Sequence, residues 1–271
     1  MDLIFAYGLF LLIGIVLGLI GGGGSILGVP VLVYLLHLPA DVATGYSLFI
    51  VGFTSLIGAF SFLKKGDISV EALIQFAIPS MITVFSVRKF VIPALPPVFF
   101  TIGGFEATKQ LVIMCVFSAL ILSSSYSMIK KRSNAVKKDL MWDEFSRSPL
   151  RIPFVIILGV FVGILSGFVG AGGGFIIIPV LVFFVRVPMK KAIGTSLSII
   201  AINSLVGFTG NVGHMDIDWR FLTFVTLLCV FGILIGTQLS YRIQVNKLKK
   251  GFGWFTLIVG IFVFIKELFL S

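Results

Sequence analysis

Two glycine clusters are the residues of this chain with the clearest chemical use. Gly21-Gly22-Gly23-Gly24-Ser25 and Gly170-Ala171-Gly172-Gly173-Gly174 each interrupt an apolar run, and each is followed by a proline, Pro30 or Pro179. Consecutive glycines hold a helix poorly, since each costs about 1 kcal/mol relative to alanine in a helix interior. A helix that restarts after such a break opens with unpaired N–H groups carrying partial positive charge. An end of this kind takes a small anion without help from a lysine. The flanking Gly14, Gly18, Gly163 and Gly167 form small-xxx-small patterns and read instead as helix-packing positions. Neither cluster completes a dinucleotide fingerprint, and neither is followed by Lys-Ser or Lys-Thr, so nucleotide-binding loops are excluded.

Hydroxyls follow each cluster, joined by an amide after the second: Thr44, Ser47, Thr54 and Ser55 in one place, Thr195, Ser196, Asn203 and Ser204 in the other. Ser47, Thr54 and Ser55 fall near one helical face, as do Ser196, Asn203 and Ser204. Such groups can hold a small oxyanion, or they can bond helix to helix inside a membrane. The candidate substrate-binding set is Gly21, Gly22, Gly23, Gly24, Ser25 and Ser47 with Gly170, Gly172, Gly173, Gly174, Thr195, Ser196 and Asn203. There is no candidate catalytic set and no metal or cofactor motif. Paired acids, a histidine cluster and a nucleophile–base set are all missing from the apolar runs. Asp41, Asp67, Glu71, Glu106, Asp216, Asp218 and Glu267 stand at run ends, so no carboxylate proton relay is visible. His37 and His214 read as interfacial loop residues, and Cys115 and Cys229 as small residues within apolar runs. The expectation is a protein that binds rather than reacts: not an enzyme.

The elements that must position these residues are membrane helices. Of 271 residues, 58% are hydrophobic and 12% charged, with a mean hydropathy of +1.14. A soluble domain is about 25% charged, so lipid must cover the apolar excess. Apolar runs occupy roughly 3–20, 25–37, 43–63, 70–87, 110–129, 152–169, 174–187, 193–212, 220–241 and 252–270. The fold expected is all-α, a polytopic bundle of about 8–10 membrane helices. The runs 25–37 and 174–187, each opening at a glycine cluster, are too short to be ordinary spans. The first residues, Met1-Asp-Leu-Ile-Phe5, lack a basic region and read as the start of a span rather than a cleaved leader. The net charge of +10 is scattered through loops, which does not suit nucleic acid.

The chain matches itself at an offset of 149 residues. Gly14-Ile15 meets Gly163-Ile164, Pro30-Val-Leu-Val33 meets Pro179-Val-Leu-Val182, Ser47-Leu48 meets Ser196-Leu197, and Asp67-Ile68 meets Asp216-Ile217. About twenty of the fifty-five positions from 14 to 68 are identical without a gap. Duplicated hydropathy of this kind is common in transporter folds. Three units are expected: a repeat over 1–129, a basic linker over 130–151 and a repeat over 152–271. Each repeat has a hairpin that returns to its starting side and then three further runs. An odd number of crossings makes the repeats inverted. Loop charges agree: with 130–151 cytoplasmic, Lys64-Lys65, Arg186, Lys190, Lys191 and Arg242 through Lys250 fall inside, as the positive-inside rule asks. Arg88-Lys89 disagrees, falling outside, where an interfacial or anion-attracting role is the one on offer.

At Gly18-Leu-Ile-Gly-Gly-Gly-Gly-Ser25, Gly167-Phe-Val-Gly-Ala-Gly-Gly-Gly174, Ala43-Thr-Gly-Tyr-Ser-Leu48, Ala192-Ile-Gly-Thr-Ser-Leu197 and Gly232-x-x-x-Gly236, the sequence resembles the TauE/SafE family of sulfite-exporter-type bacterial permeases. The likeness extends over nearly the whole chain. It implies a small carrier of two pseudo-repeated halves in the bacterial inner membrane, moving sulfite, sulfonates and related sulfur anions. The first half departs from the motif where it carries Met81-Ile-Thr-Val-Phe85 and the stretch from Arg88 to Pro97. The expected function is secondary transport, as an exporter, with one half moving against the other. The partners expected are a small anion and the lipid bilayer. A homo-oligomer stays open, as do a channel-like pore and a non-transporting accessory protein.

Overall fold

The computed structural model describes residues 2–22, 24–102, 105–129, 151–170, 172–183, 185, 187–213, 215–240 and 245–269. Gly23, Ala171, Arg186, His214, Arg242 and the linker from 130 to 150 lie outside the described residues. In chain order the elements are α1 (Asp2–Ile20), α2 (Ser25–Pro30, prolonged by a π-helical turn Val31–Leu35), α3 (Ala40–Leu63) and α4 (Val70–Ser86, prolonged by a π-helical turn Val87–Val91 and by Ile92–Ala94). Then come β1 (Val98–Ile102), β2 (Phe105–Thr108), α5 (Lys109–Ile129), α6 (Arg151–Val169), α7 (Gly174–Phe183), α8 (Met189–Thr209), α9 (Trp219–Ser240) and α10 (Val245–Phe269).

This is an all-α polytopic membrane protein. Among the described residues five helices are long and apolar enough to cross a bilayer: α3, the prolonged α4, α6, α8 and α9. Ala6–Ile20, Ser25–Leu35 and Lys109–Ser123 are shorter apolar helices. The ten residues of α7 reach about 15 Å, half of a hydrocarbon core of about 30 Å. α4 shows how a span chooses its faces. Val70, Ile74, Ile78, Ile82 and Phe90 are exposed, a four-residue stripe suited to lipid. Ala72, Phe76, Ser80, Val84 and Arg88 are buried, the opposite stripe at the same spacing.

One element departs from the helical expectation. β1 and β2 pair antiparallel, Val98 opposite Thr108 and Ile102 opposite Phe105, so the fold is helical with one small hairpin added. Pro93, Pro96 and Pro97 stop α4, and the aromatic and β-branched run Phe99-Phe-Thr-Ile102 precedes Gly103-Gly104 in sequence, a two-residue hairpin signal.

The helices pair across the two halves. α1 runs parallel to α9: the direction of Gly14's missing Cβ points into the Cys229 carbonyl, and that of Gly18 comes within 2.6 Å of the Thr237 nitrogen. α6 runs parallel to α4 in the same way, Gly159 on Phe76 and Pro79, Gly163 on Ser80 and Thr83, Gly167 on Val87. α3 and α8 lie antiparallel, Gly52 against Leu205, Gly58 against Leu197 and Gly207 against Leu48. α3 also runs parallel to α9, Tyr46 beside Phe221 and Gly58 on Ile233, and α8 parallel to α4, Gly194 on Asp67 and Gly207 on Val84, so α1 and α6 run antiparallel to one another.

The pairs also exchange at the sequence offset. Gly58 packs on Ile233 while Gly207 packs on Val84, and Gly21 packs on Ile193 while Gly170 packs on Thr44. Hydrogen bonds follow suit. Tyr46 Oη accepts from Asp218 N at 2.7 Å, and Thr195 Oγ1, at the matching position, accepts from Ser69 N at 2.9 Å.

Candidate functional site

Each glycine cluster is a turn that only glycine makes without strain. α1 closes with Gly21 N donating to Leu17 O at 2.8 Å, and α6 with Gly170 N donating to Ser166 O at 2.9 Å. The backbone then reverses hand, with φ of +76° at Gly21, +155° at Gly22, +70° at Gly170, +65° at Gly172 and +68° at Gly173. Side-chain-bearing residues avoid that region. Ser25 seals the first turn, its Oγ donating to Gly22 O at 2.7 Å. Ile176 N and Ile177 N close the second on Gly173 O, at 3.0 and 3.1 Å.

The two turns meet. A Cβ on Gly22 would stand 2.7 Å from the main chain of Gly174, and one on Gly174 would stand 2.6 Å from Gly22 Cα. The breaks therefore touch backbone to backbone, a tighter contact than a pair of helix ends facing an open hollow. Gly24 is packed as closely, against the main chain of Ile13 and Leu17.

Buried polar groups surround this contact. Ser196 Oγ shares its proton between Gly21 O at 3.1 Å and Ile193 O at 2.8 Å, binding α8 to the first break. Ser47 Oγ lies beside Gly28, Ser204 Oγ beside Gly172, and Ser166 Oγ near Gly173. Asn203 Oδ1 accepts from Ser80 Oγ at 3.0 Å, joining α8 to α4. Ser47 Oγ, Ser55 Oγ, Ser166 Oγ, Ser204 Oγ and Asn203 Nδ2 are buried with no hydrogen-bond partner among the described residues. An unmet buried polar group costs about 1–3 kcal/mol, and of these Ser166 and Ser204 stand beside the second break.

Of the candidate substrate-binding residues, the structure brings Gly21, Gly22, Gly24, Ser25, Gly170, Gly172, Gly173, Gly174 and Ser196 together at the two breaks, while Ser47 of α3 lies against Gly28 of α2 and Asn203 of α8 is bonded to Ser80 of α4. Gly23 lies outside the described residues. Thr195 does not join them: its hydroxyl ties the start of α4 to α8, through Ser69 N and Lys191 O. Ser166 is inconspicuous in the sequence because it stands between packing glycines on α6. Arg88 is the larger omission. Its charge reads as part of a loop, whereas it is fully buried on α4 with Nη1 donating to Thr44 Oγ1 at 3.0 Å. The signal that finds it is the buried stripe 72, 76, 80, 84, continued by one more step.

Fold and site together define a multi-pass helical membrane protein with buried polar groups in its interior. The chain belongs to the family described as "Sulfite exporter TauE/SafE", whose profile matches residues 6–263. It is similar to a "Probable membrane transporter protein" of Xylella fastidiosa, 28% identical over 93% of this chain and 91% of the relative. It is also similar to "Probable membrane transporter protein YdhB" of Bacillus subtilis, at 26% over 92% and 95%. A third relative is "Probable membrane transporter protein MJ0441" of Methanocaldococcus jannaschii, at 24% over 94% of each chain. No solved structure matches. The protein is a membrane transporter and not an enzyme.

Proposed function

We propose that this protein is a secondary transporter, working as an exporter, for small sulfur-containing oxyanions such as sulfite or organosulfonates. The observation that carries the reading is the meeting of Gly22 and Gly174 beside the buried hydroxyls of Ser166 and Ser204, unpartnered among the described residues, with that of Ser47 against α2. Contact at the centre closes the path, so an anion sits beside it among Ser47, Ser55, Ser166, Ser204 and Asn203, or enters as the breaks part. The sulfur chemistry of the substrate comes from the family. The two halves, 1–129 and 152–271, are inverted copies in this proposal, and the exchanged contacts at the 149-residue offset support that. The 130–151 linker is cytoplasmic and the membrane is the bacterial inner one, a reading that loop charge supports.

Purified protein in liposomes tests this directly. Uptake of sulfite, thiosulfate, sulfate and small sulfonates is measured with and without a pH gradient. Saturable flux accelerated by substrate on the far side is the expected result. Conductance steps would make the protein a pore, and failure to move any of these anions, with a partner recovered by crosslinking, would make it an accessory subunit.

The unpartnered hydroxyls add a prediction of opposite signs. Ser55→Ala and Ser204→Ala each remove a buried group that bonds to nothing among the described residues. Each is expected to leave thermal stability unchanged or raised by up to about 1 kcal/mol, while substrate affinity in the flux assay falls. A loss of stability with unchanged affinity would assign these serines to packing.

A further inference from the structure

Arg88 is among the largest fully buried side chains of the protein, and one of the few charged ones. A π-helical turn, Val87–Val91, carries it, and such turns gather at functional sites. Its Nη1 bonds Thr44 Oγ1 at 3.0 Å, while Nε and Nη2 have no partner among the described residues. Thr44 spends its own proton on Asp41 O at 2.9 Å, so its oxygen serves the arginine as an acceptor. The Asp41 carboxylate is taken by Lys109 Nζ at 3.3 Å and Val42 N at 2.9 Å. Asn211 Nδ2 is a further buried donor without a partner among the described residues. It belongs to the same neighbourhood. A Cβ on Gly45, next to Thr44, would stand 3.2 Å from it, and one on Gly210 would stand 3.0 Å from Arg88 Cβ.

A guanidinium stays charged when buried and cannot relieve itself by losing a proton. Without acceptors it is among the costliest groups a fold can bury. Its free N–H groups form a flat fork that fits an oxyanion two bonds at a time. We propose that Arg88, Thr44 and Asn211 form a binding site for one small free oxyanion, held by Arg88 Nε and Nη2 and Asn211 Nδ2. The complete burial of Arg88 keeps a lipid headgroup away, which commits the site to a free ion. The proposal deepens the transport reading and rests on it for the class of ligand.

The site is single in a doubled chain. The positions matching Arg88, Thr44 and Asn211 at the repeat offset are Thr237, Ile193 and Phe62. Thr44 also packs against Gly170, so an anion on Arg88 bears on the turn of the second break.

The test uses the full chain in detergent free of phospholipid, in zwitterionic buffer, with thermal unfolding and binding followed as sulfite, sulfate, thiosulfate or chloride is added. An oxyanion is expected to raise the wild-type midpoint. Arg88→Met, which removes an unmatched charge, is expected to unfold at the wild-type temperature or above it without anion, and to lose the response. Arg88→Lys is expected to need about tenfold more anion or beyond. An Arg88→Met protein that binds the oxyanion like wild type overturns the site. So does one that fails to fold while Arg88→Lys responds like wild type, since that makes the residue a structural charge. Wild type that moves an oxyanion in liposomes with an equal rate in Arg88→Met leaves the transport reading standing and the site refuted. Arg88-dependent binding without flux of any oxyanion does the reverse.

Discussion

Gly22→Leu is expected to bring oxyanion flux in liposomes to background, the largest functional effect of any single substitution in this protein. Two costs combine. The φ of +155° suits glycine alone, and holding a side chain in such a region costs about 1–3 kcal/mol. The side chain must also enter the space where Gly174's main chain lies 2.7 Å from the Cβ position, and overpacking adds about 1–3 kcal/mol more. The turns must then separate, which moves Ser25 and Ser196, both bonded to this segment. Gly22→Ala keeps the question open to measurement if the leucine variant inserts poorly: it carries the same backbone strain with the smallest possible side chain, and flux is expected to fall by about tenfold or more. Gly66 is the control. Its φ is +69° but a Cβ there meets nothing within 4 Å, so Gly66→Ala is expected to transport normally. Wild-type flux from Gly22→Ala would show that the breaks are not part of the path.

The largest loss of folded protein is expected from Gly14→Val. The Cβ direction of Gly14 runs into the Cys229 carbonyl, and Gly232 and Gly236 press their own bare faces on the carbonyls of Leu11 and Ile15. In lipid, helices associate through such close packing and have little hydrophobic drive to replace it. Separating α1 from α9 by a branched side chain also breaks the Cys229 Sγ bond to Phe10 O, 3.0 Å long. The expected cost exceeds about 3 kcal/mol, read as loss of the monodisperse peak after extraction. A change at Gly8, where a Cβ meets nothing within 4 Å, should leave that peak intact. A monodisperse, heat-stable Gly14→Val protein would show that α1 and α9 are held by other means.

Much of this arrangement is legible in the residues alone, and the reasons are physical. Spans declare themselves because uninterrupted greasiness has no other use. The duplication declares itself because both halves keep glycine at many of the close contacts: Gly14, Gly18, Gly21, Gly45 and Gly58 recur as Gly163, Gly167, Gly170, Gly194 and Gly207, and each is packed against another helix or turn. Thr195 and Ser196 are adjacent candidates by residue type, yet neighbours on a helix point about 100° apart, and only Ser196 reaches a break. Arg88 is hidden by its charge. A cation looks like the end of a span, so the inward stripe of α4 reads one turn too short. The β1–β2 hairpin is hidden because its strands are short and as apolar as the helices beside them. The backbone contact of Gly22 with Gly174 joins residues far apart in the chain, and no local pattern encodes it.

The pairing of α1 with α9 and of α6 with α4 governs what can swing. Each seam is packed on bare glycine, against carbonyls along α1–α9 and against carbonyls and side chains along α4–α6, so it shears badly. A lobe made of residues 1–129 alone could not tilt without tearing both. For the exporter proposed above, the bodies expected to rock are therefore of mixed parentage: one carries α1 and α9, the other α4 and α6, with α3 and α8 as a shared spine. The repeat draws its boundary along the chain, and in this proposal the hinge runs across it.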